Sequence, residues 1–92
     1  MSKFSLHYSK GFRKDFKALS KSDKNAVKSV LEQLANDEIL EAKFNDHQLT
    51  GELGRFRECH IKSDLILIYK KLAEFLELHA LRVGTHSKLF KK

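Results

Sequence analysis

The chain contains no proline, only four glycines and a single cysteine. With so little of the usual backbone punctuation, turns and caps must fall mainly to Ser, Asn, Asp and those few glycines. A lone Cys59 excludes an intramolecular disulfide and any cysteine-based zinc finger. No apolar run approaches the roughly 20 residues needed to cross a bilayer. The opening MSKFSLHYSK is too polar for the apolar centre of a signal peptide. The cytoplasm is therefore the expected compartment, and no membrane partner is expected.

Acidic residues are in the minority: 12 Asp plus Glu stand against 18 Lys plus Arg, a net charge of +6 at pH 7. On so small a body that excess favours a polyanion, whether nucleic acid, an acidic protein or an anionic surface. A merely soluble basic protein would carry the same charge. The 92 residues suffice for one domain, 1–92, and not for two independent cores. Hydrophobic residues at 41% and charged residues at 33% argue against wholesale disorder. There is no internal repeat, linker or low-complexity segment.

Residues 3–8 alternate, with Phe4, Leu6 and Tyr8 on one side, which predicts a strand. Ser9 can cap a helix over 10–19, where Phe12, Phe16 and Leu19 fall at helical spacing. Ser20 with Asp23 resembles a capping box and opens a second helix to about residue 36. Its apolar stripe is Ala26, Val27, Val30, Leu31 and Leu34. Residues 37–54 read as a long irregular loop, a feature that is often functional in a small domain. Three strand-like runs follow, at Arg55–Ile61, Leu65–Tyr69 and Phe75–Val83, with a turn over Lys70–Glu74. The expected class is α+β in the order β-α-α-β-β-β: a small antiparallel sheet, joined by the first strand, with a helical hairpin on one face.

Five histidines punctuate the chain. His47 falls in the long loop, His60 at the end of the second strand, and His86 just past the last strand, where side chains are commonly displayed for function. His7 and His79 lie inside strands and read as surface or packed side chains. No pair has the i,i+4 helical spacing or the HExxH context of a zinc site, so neither metal nor cofactor is expected. Asp46-His47, or His60 with Asp64, could meet at a metal only through folding. Nucleophilic catalysis has no G-x-S-x-G elbow to use. Cys59 should point away from the face His60 uses, as a packed and inert thiol.

RNA needs less from a protein, because it carries its own nucleophile in the 2′-hydroxyl. Cleavage then needs a base, an acid and a cation for the phosphate. Histidines titrating near neutrality can serve as the first two, and arginine as the third. His47, His60, His86 and Arg82 meet that inventory without a metal.

Four ordered strings sharpen the reading: His47-Gln48-Leu49-Thr50-Gly51, Arg57-Glu58-Cys59-His60-Ile61, Asp64-Leu65-Ile66-Leu67-Ile68-Tyr69, and Arg82-Val83-Gly84-Thr85-His86-Ser87-Lys88-Leu89-Phe90. In this order the series resembles the YafQ branch of the RelE/ParE toxin superfamily over nearly the whole chain. The resemblance implies a RelE-like fold and the toxin half of a toxin–antitoxin pair. It implies an endoribonuclease that cleaves mRNA, mostly on the translating ribosome, and is held inactive by a cognate antitoxin. Carried over by position, it points to His47, His60, Asp64, Arg82 and His86 as catalytic, and to Phe90, Leu65 and Lys88 as substrate contacts. His86 would be the general acid, Asp64 or His60 would take or orient the nucleophile's proton, Arg82 would stabilise the phosphate, and Phe90 would stack on a base. The related pattern often has Trp where this chain has Leu65, so base preference is expected to differ.

Bland alternatives exist for each residue alone. Asp64 could cap a turn, Arg82 could pair with Glu77 or Glu58, and Phe90 could pin the tail. Lys10, Lys14, Lys17, Lys21, Lys24 and Lys28 suit a solvated face that also meets ribosomal RNA. Two competing functions remain: a noncatalytic ParE-like gyrase inhibitor, which lacks this acid–base set, and a plain RNA-binding module. An antitoxin should be acidic, with a segment that folds on the basic surface.

Overall fold

A computed structural model describes residues 3–49 and 56–90. Thr50, Gly51, Gly54 and Arg55, expected in the loop and at the start of a strand, lie outside the described residues. The elements are β1 (Ser5–Tyr8), α1 (Lys10–Lys17), α2 (Lys21–Ala35), β2 (His47–Gln48), β3 (Arg57–Lys62), β4 (Leu65–Leu72), β5 (Glu77–Gly84) and α3 (His86–Leu89), with short 3₁₀ turns at Ala42–Phe44 and Ala73–Phe75.

Both long helices start where serine can accept an orphan N–H. Ser9 Oγ accepts from Phe12 N at 2.9 Å and donates to the Leu81 carbonyl at 2.7 Å, so one hydroxyl caps α1 and ties it to β5. Ser20 accepts from Asp23 N at 3.1 Å, and Asp23 adds a favourable charge to the first turn of α2. Phe12 from α1, and Val27, Val30, Leu31 and Leu34 from α2, pack on Cys59, Leu65, Leu67, Tyr69, Leu78, Ala80 and Val83 of the sheet. Alternation thus sends Cys59 into the core while Glu58 and His60 face the other way.

The sheet order is β1-β5-β4-β3-β2. Three pairings are antiparallel, but β1 lies parallel to β5. Three expectations need correction. The stretch 37–54 is not loop throughout, because His47–Gln48 pairs with Glu58 and Arg57 as a short edge strand. β4 runs on to Leu72, narrowing the turn to Ala73–Phe75. Lys71 tolerates the strand because its amine stands 5.1 Å from the centre of the Phe4 ring and pairs with Asp37 at 3.2 Å. Finally, the residues after β5 form α3, with Thr85 Oγ1 accepting from Lys88 N.

The pairing of β4 with β5 shifts register between Ile68 and Tyr69. Leu81 is the extra residue, so Ala80 and Val83 both face the core and Arg82 emerges opposite Ile68 on the other face. That face carries the chemistry.

Candidate active site

Strand register assembles the site. His47 pairs with Glu58, Glu58 with Ile68 and Ile68 with Arg82, making one row across four strands. The adjacent row is His60, Ile66 and Gly84. Gly84 has no side chain, and a Cβ there would stand 3.4 Å from the Lys88 stem and 3.5 Å from Leu89. The gap lets α3 fold back on β5. On that single turn His86 and Phe90 fall at i and i+4, with ring centroids 5.4 Å apart. The His86 ring meets the His60 ring edge-on at 5.8 Å.

At the centre of the three histidines stands Glu58. Its carboxylate lies 3.4 Å from each Nε2: His47 at Oε2, and both His60 and His86 at Oε1. These separations exceed the roughly 2.7–2.9 Å of a charge-assisted hydrogen bond. Glu58 is buried, and Oε1 has no hydrogen-bond partner among the described residues. An orphaned buried acceptor costs about 1–3 kcal/mol, so the site stores an unmet demand for a donor. A protonated imidazole, a substrate hydroxyl or a cation would each meet it.

The flanking residues hold this set in place. Asp46 accepts from the Tyr69 hydroxyl at 2.6 Å and pairs with Arg57 at 3.3 Å, anchoring the backbone just before His47. Burial, then the Asp46 carboxylate, push the Tyr69 phenol well above its usual range, so it remains a donor. His47 Nδ1–H donates to the Gln48 carbonyl at 3.3 Å, which turns Nε2 toward Glu58. On the opposite side, buried Asp15 of α1 takes Arg82 Nε at 2.6 Å and a second Arg82 nitrogen at 3.2 Å, and also accepts from Val83 N at 3.2 Å. Lys88 Nζ lies 3.7 Å from the same carboxylate. Burial raises the Asp15 pKa, but the hydrogen bonds from Arg82 and Val83 and the charges of Arg82 and Lys88 outweigh it. The carboxyl is held below its ordinary value. The Arg82 stem lies against Gly11, where a Cβ would stand 3.0 Å from it.

Of the expected residues, His47, His60, His86 and Phe90 come together, and Arg82 and Lys88 converge on Asp15 beside them. Asp64 does not join them: it is exposed in the β3–β4 turn and makes no hydrogen bond or ion pair among the described residues. Leu65 is a correction. It is 6% exposed within the core cluster, on the helix-covered face, and so does not line the site. Its position at the start of β4, where odd-numbered residues face the helices, is the reason. Arg82 pairs with Asp15 rather than with Glu77 or Glu58. Sequence reasoning missed Glu58 and Asp15. Alternation alone would have placed Glu58 beside His60, and a lone acid on the Phe12 and Phe16 side of the otherwise basic α1 was a signal for Asp15.

The family model "Bacterial toxin of type II toxin-antitoxin system, YafQ" matches residues 4–91. The chain belongs to the YafQ toxin family. The mRNA interferase toxin YafQ of Escherichia coli K12 is 36% identical over 88 residues, covering 92% of this chain and 94% of that protein. The E. coli DinJ–YafQ toxin–antitoxin complex superposes with a TM-score of 0.83 at 35% identity, covering 96% of this chain and 98% of the toxin chain matched. A metal-bound toxin from Helicobacter pylori gives a TM-score of 0.86 at 40% identity, over 95% and 99% of the two chains. In this YafQ-family chain, the ligand atoms of His47, Glu58 and His60 lie within 4.8 Å of one another. With an orphaned carboxylate oxygen among them, this set fits a metal ion. Any metal group assembled here is thus built with Glu58 and not with Asp64.

Proposed function

We propose that the chain is the toxin of a type II toxin–antitoxin system and cleaves mRNA by metal-independent acid–base chemistry. The observation that carries this reading is the buried Glu58 carboxylate ringed by three imidazole Nε2 atoms at 3.4 Å. In the proposed reaction His60 Nε2 takes the proton of the ribose 2′-hydroxyl. The 2′-oxygen attacks phosphorus, the bond from phosphorus to the 5′-oxygen breaks, and His86 Nε2 gives its proton to the leaving oxygen. The products are a 2′,3′-cyclic phosphate and a 5′-hydroxyl. The negative charge of Glu58 attracts whichever imidazole is cationic and holds both rings at the site, and Nε2 exchanges Glu58 for the substrate oxygen when the proton is transferred. His47 guards the other carboxylate oxygen. Arg82 and Lys88, steadied by Asp15, meet the phosphate charge as it grows. Phe90 supplies a stacking face for a base, and Asp64 meets the substrate from the hairpin tip.

Replacing His60 or His86 with Ala should lower cleavage by on the order of 10²–10⁴. Full cleavage by both variants would sink the assignment. Mapping transcript ends after induction separates a nuclease from a gyrase inhibitor, which leaves no new internal ends. An RNA-binding module would bind in a salt-sensitive way and yield no product. Comparing naked RNA with translating ribosomes tests whether cleavage belongs to translation.

A second reading of the same residues has an observation behind it, since the H. pylori relative is metal-bound. A divalent ion held by His47, Glu58 and His60 would occupy the Nε2 lone pair that base catalysis needs. It should therefore inhibit, and chelation should restore activity. Activity lost on chelation would instead favour a metal-dependent enzyme.

The antitoxin is proposed to be acidic and amphipathic. A groove of about 430 Å³ between α1 and α2 offers Phe12, Phe16 and Leu31 between Arg13, Lys24 and Lys28. Apolar floor and basic rim together suit a helix with acidic flanks. Lys24→Glu with Lys28→Glu should weaken neutralisation while leaving cleavage of naked RNA intact.

A further inference from the structure

We propose that His7, Glu77 and His79 form a second site, for a zinc-class divalent ion, that clamps the N-terminal edge strand to β5. The proposal is independent of the ribonuclease reading. The parallel pairing of β1 with β5 sets His7 beside His79 and Ser5 beside Glu77. All four lie on the face turned away from the helices, since Phe4 and Leu6 take the core side. The two imidazoles stack with centroids 4.7 Å apart and planes 10° apart. His79 Nε2 lies 2.9 Å from Glu77 Oε1, and His7 Nε2 lies 3.6 Å from Glu77 Oε2. The ligand atoms of all three residues fall within 4.8 Å of one another. Ser5 Oγ stands 3.0 Å from His7 Nε2.

Two imidazoles and one carboxylate are a recurring three-ligand set for zinc, with water in the fourth position. Ligand atoms about 2.0–2.2 Å from a tetrahedral ion stand roughly 3.3–3.6 Å apart. To bring both Nε2 lone pairs onto one ion the stacked rings must turn out of parallel, and at 44% and 29% exposure for His7 and His79, with Glu77 at 32%, the side chains have room to do so. In place of the ion, Glu77 now shares itself between two rings that present the same nitrogen to it. The Glu58 group lies on β2 and β3 toward the opposite edge of the same face, so one ion cannot serve both.

The clamp has a structural consequence. β1 is four residues long and pairs with β5 alone, at the edge of the sheet. His7 and His79 come from opposite ends of the chain, so the unfolded state cannot offer this ligand set. Binding that favours only the native state lowers the unfolding constant about 100-fold when free ion stands 100-fold above its dissociation constant.

The test uses untagged full-length protein carrying His47→Gln and His60→Gln, which dismantles the Glu58 group. Zn²⁺ titrated by calorimetry should still bind at one equivalent. Adding His7→Gln or His79→Gln should weaken binding at least tenfold, and Glu77→Gln should weaken it too. In the wild-type protein, Zn²⁺ should shift the His7 and His79 ring resonances and slow amide exchange in Leu6–Tyr8. That measurement stands even where a variant folds poorly. No binding by the His47→Gln, His60→Gln protein, undiminished binding after His7→Gln, or ring resonances of His7 and His79 unmoved by Zn²⁺ would each overturn the proposal.

Discussion

Replacing Glu58 by Gln should raise stability while it destroys activity, and the opposed signs make the test sharp. The Glu58 side chain is 6% exposed, and Oε1 lacks a hydrogen-bond partner among the described residues. Such an acceptor costs about 1–3 kcal/mol in the folded state. Glutamine keeps the shape and one oxygen, and exchanges the other for an amide N–H₂ that an imidazole nitrogen can accept. Recovery of about 1 kcal/mol is the expected outcome, which for a domain of this size is a rise in Tm of about 4–8 °C. The same exchange removes the negative charge that orients His60 and His86, so cleavage should fall on the order of 10² or more. Thermal unfolding by circular dichroism and cleavage of a defined RNA, run on one preparation, read both quantities. A Tm that falls together with activity would make Glu58 a structural residue and refute the reasoning. Unchanged cleavage would remove it from the reaction.

Asp15→Asn should cost about 1.5–3 kcal/mol at pH 7, the range for hydrogen bonds to a charged group. Because the folded pKa of Asp15 lies below its unfolded value near 3.9, its stabilisation is present above that value and is lost as pH falls through the folded one. Urea melts of wild type and variant should therefore converge in acid, and an equal gap at pH 7 and below pH 3 would refute the assignment. Leu65→Ala should lower stability by about 2–5 kcal/mol as a core truncation, where a substrate contact would alter cleavage and leave Tm alone. The Cys59 thiol, fully buried and pushed up to about 12 first by burial, should resist iodoacetamide at pH 8 until denaturant is added; rapid labelling of native protein would contradict that placement.

The elements legible in sequence are those whose signals are local. Ser9 and Ser20 announce two helices because an N-cap needs only its own next turn, and the stripe from Val27 to Leu34 announces the buried face of α2. Alternation told Cys59 from His60. What escaped depends on distant partners. A strand of two residues, His47–Gln48, has no periodicity of its own and exists because β3 offers an open edge. The parallel sense of β1 follows from the long path through α1 and α2, which no local spacing reports. α3 was locally readable after all, since Thr85 caps it and His86 and Phe90 stand one turn apart, but a short helix makes a faint pattern.

Glu58 shows why the site itself was half legible. Histidine draws notice because its chemistry is useful wherever it lies, whereas a glutamate on a strand reads as one more solvated charge. Its role comes from three contacts that sequence holds far apart, at residues 47, 60 and 86. Two backbone devices bring the last of these within reach: the bulge at Leu81, which re-aims the end of β5, and Gly84, which lets α3 fold back onto it. Arg82 depends on the same bulge, because regular alternation from Ala80 would have turned it into the core. A residue inserted or removed at Leu81 would therefore swap Arg82 and Val83 between faces. It would also separate Arg82 from Asp15, so the strand's irregularity is as much a part of the site as any side chain in it.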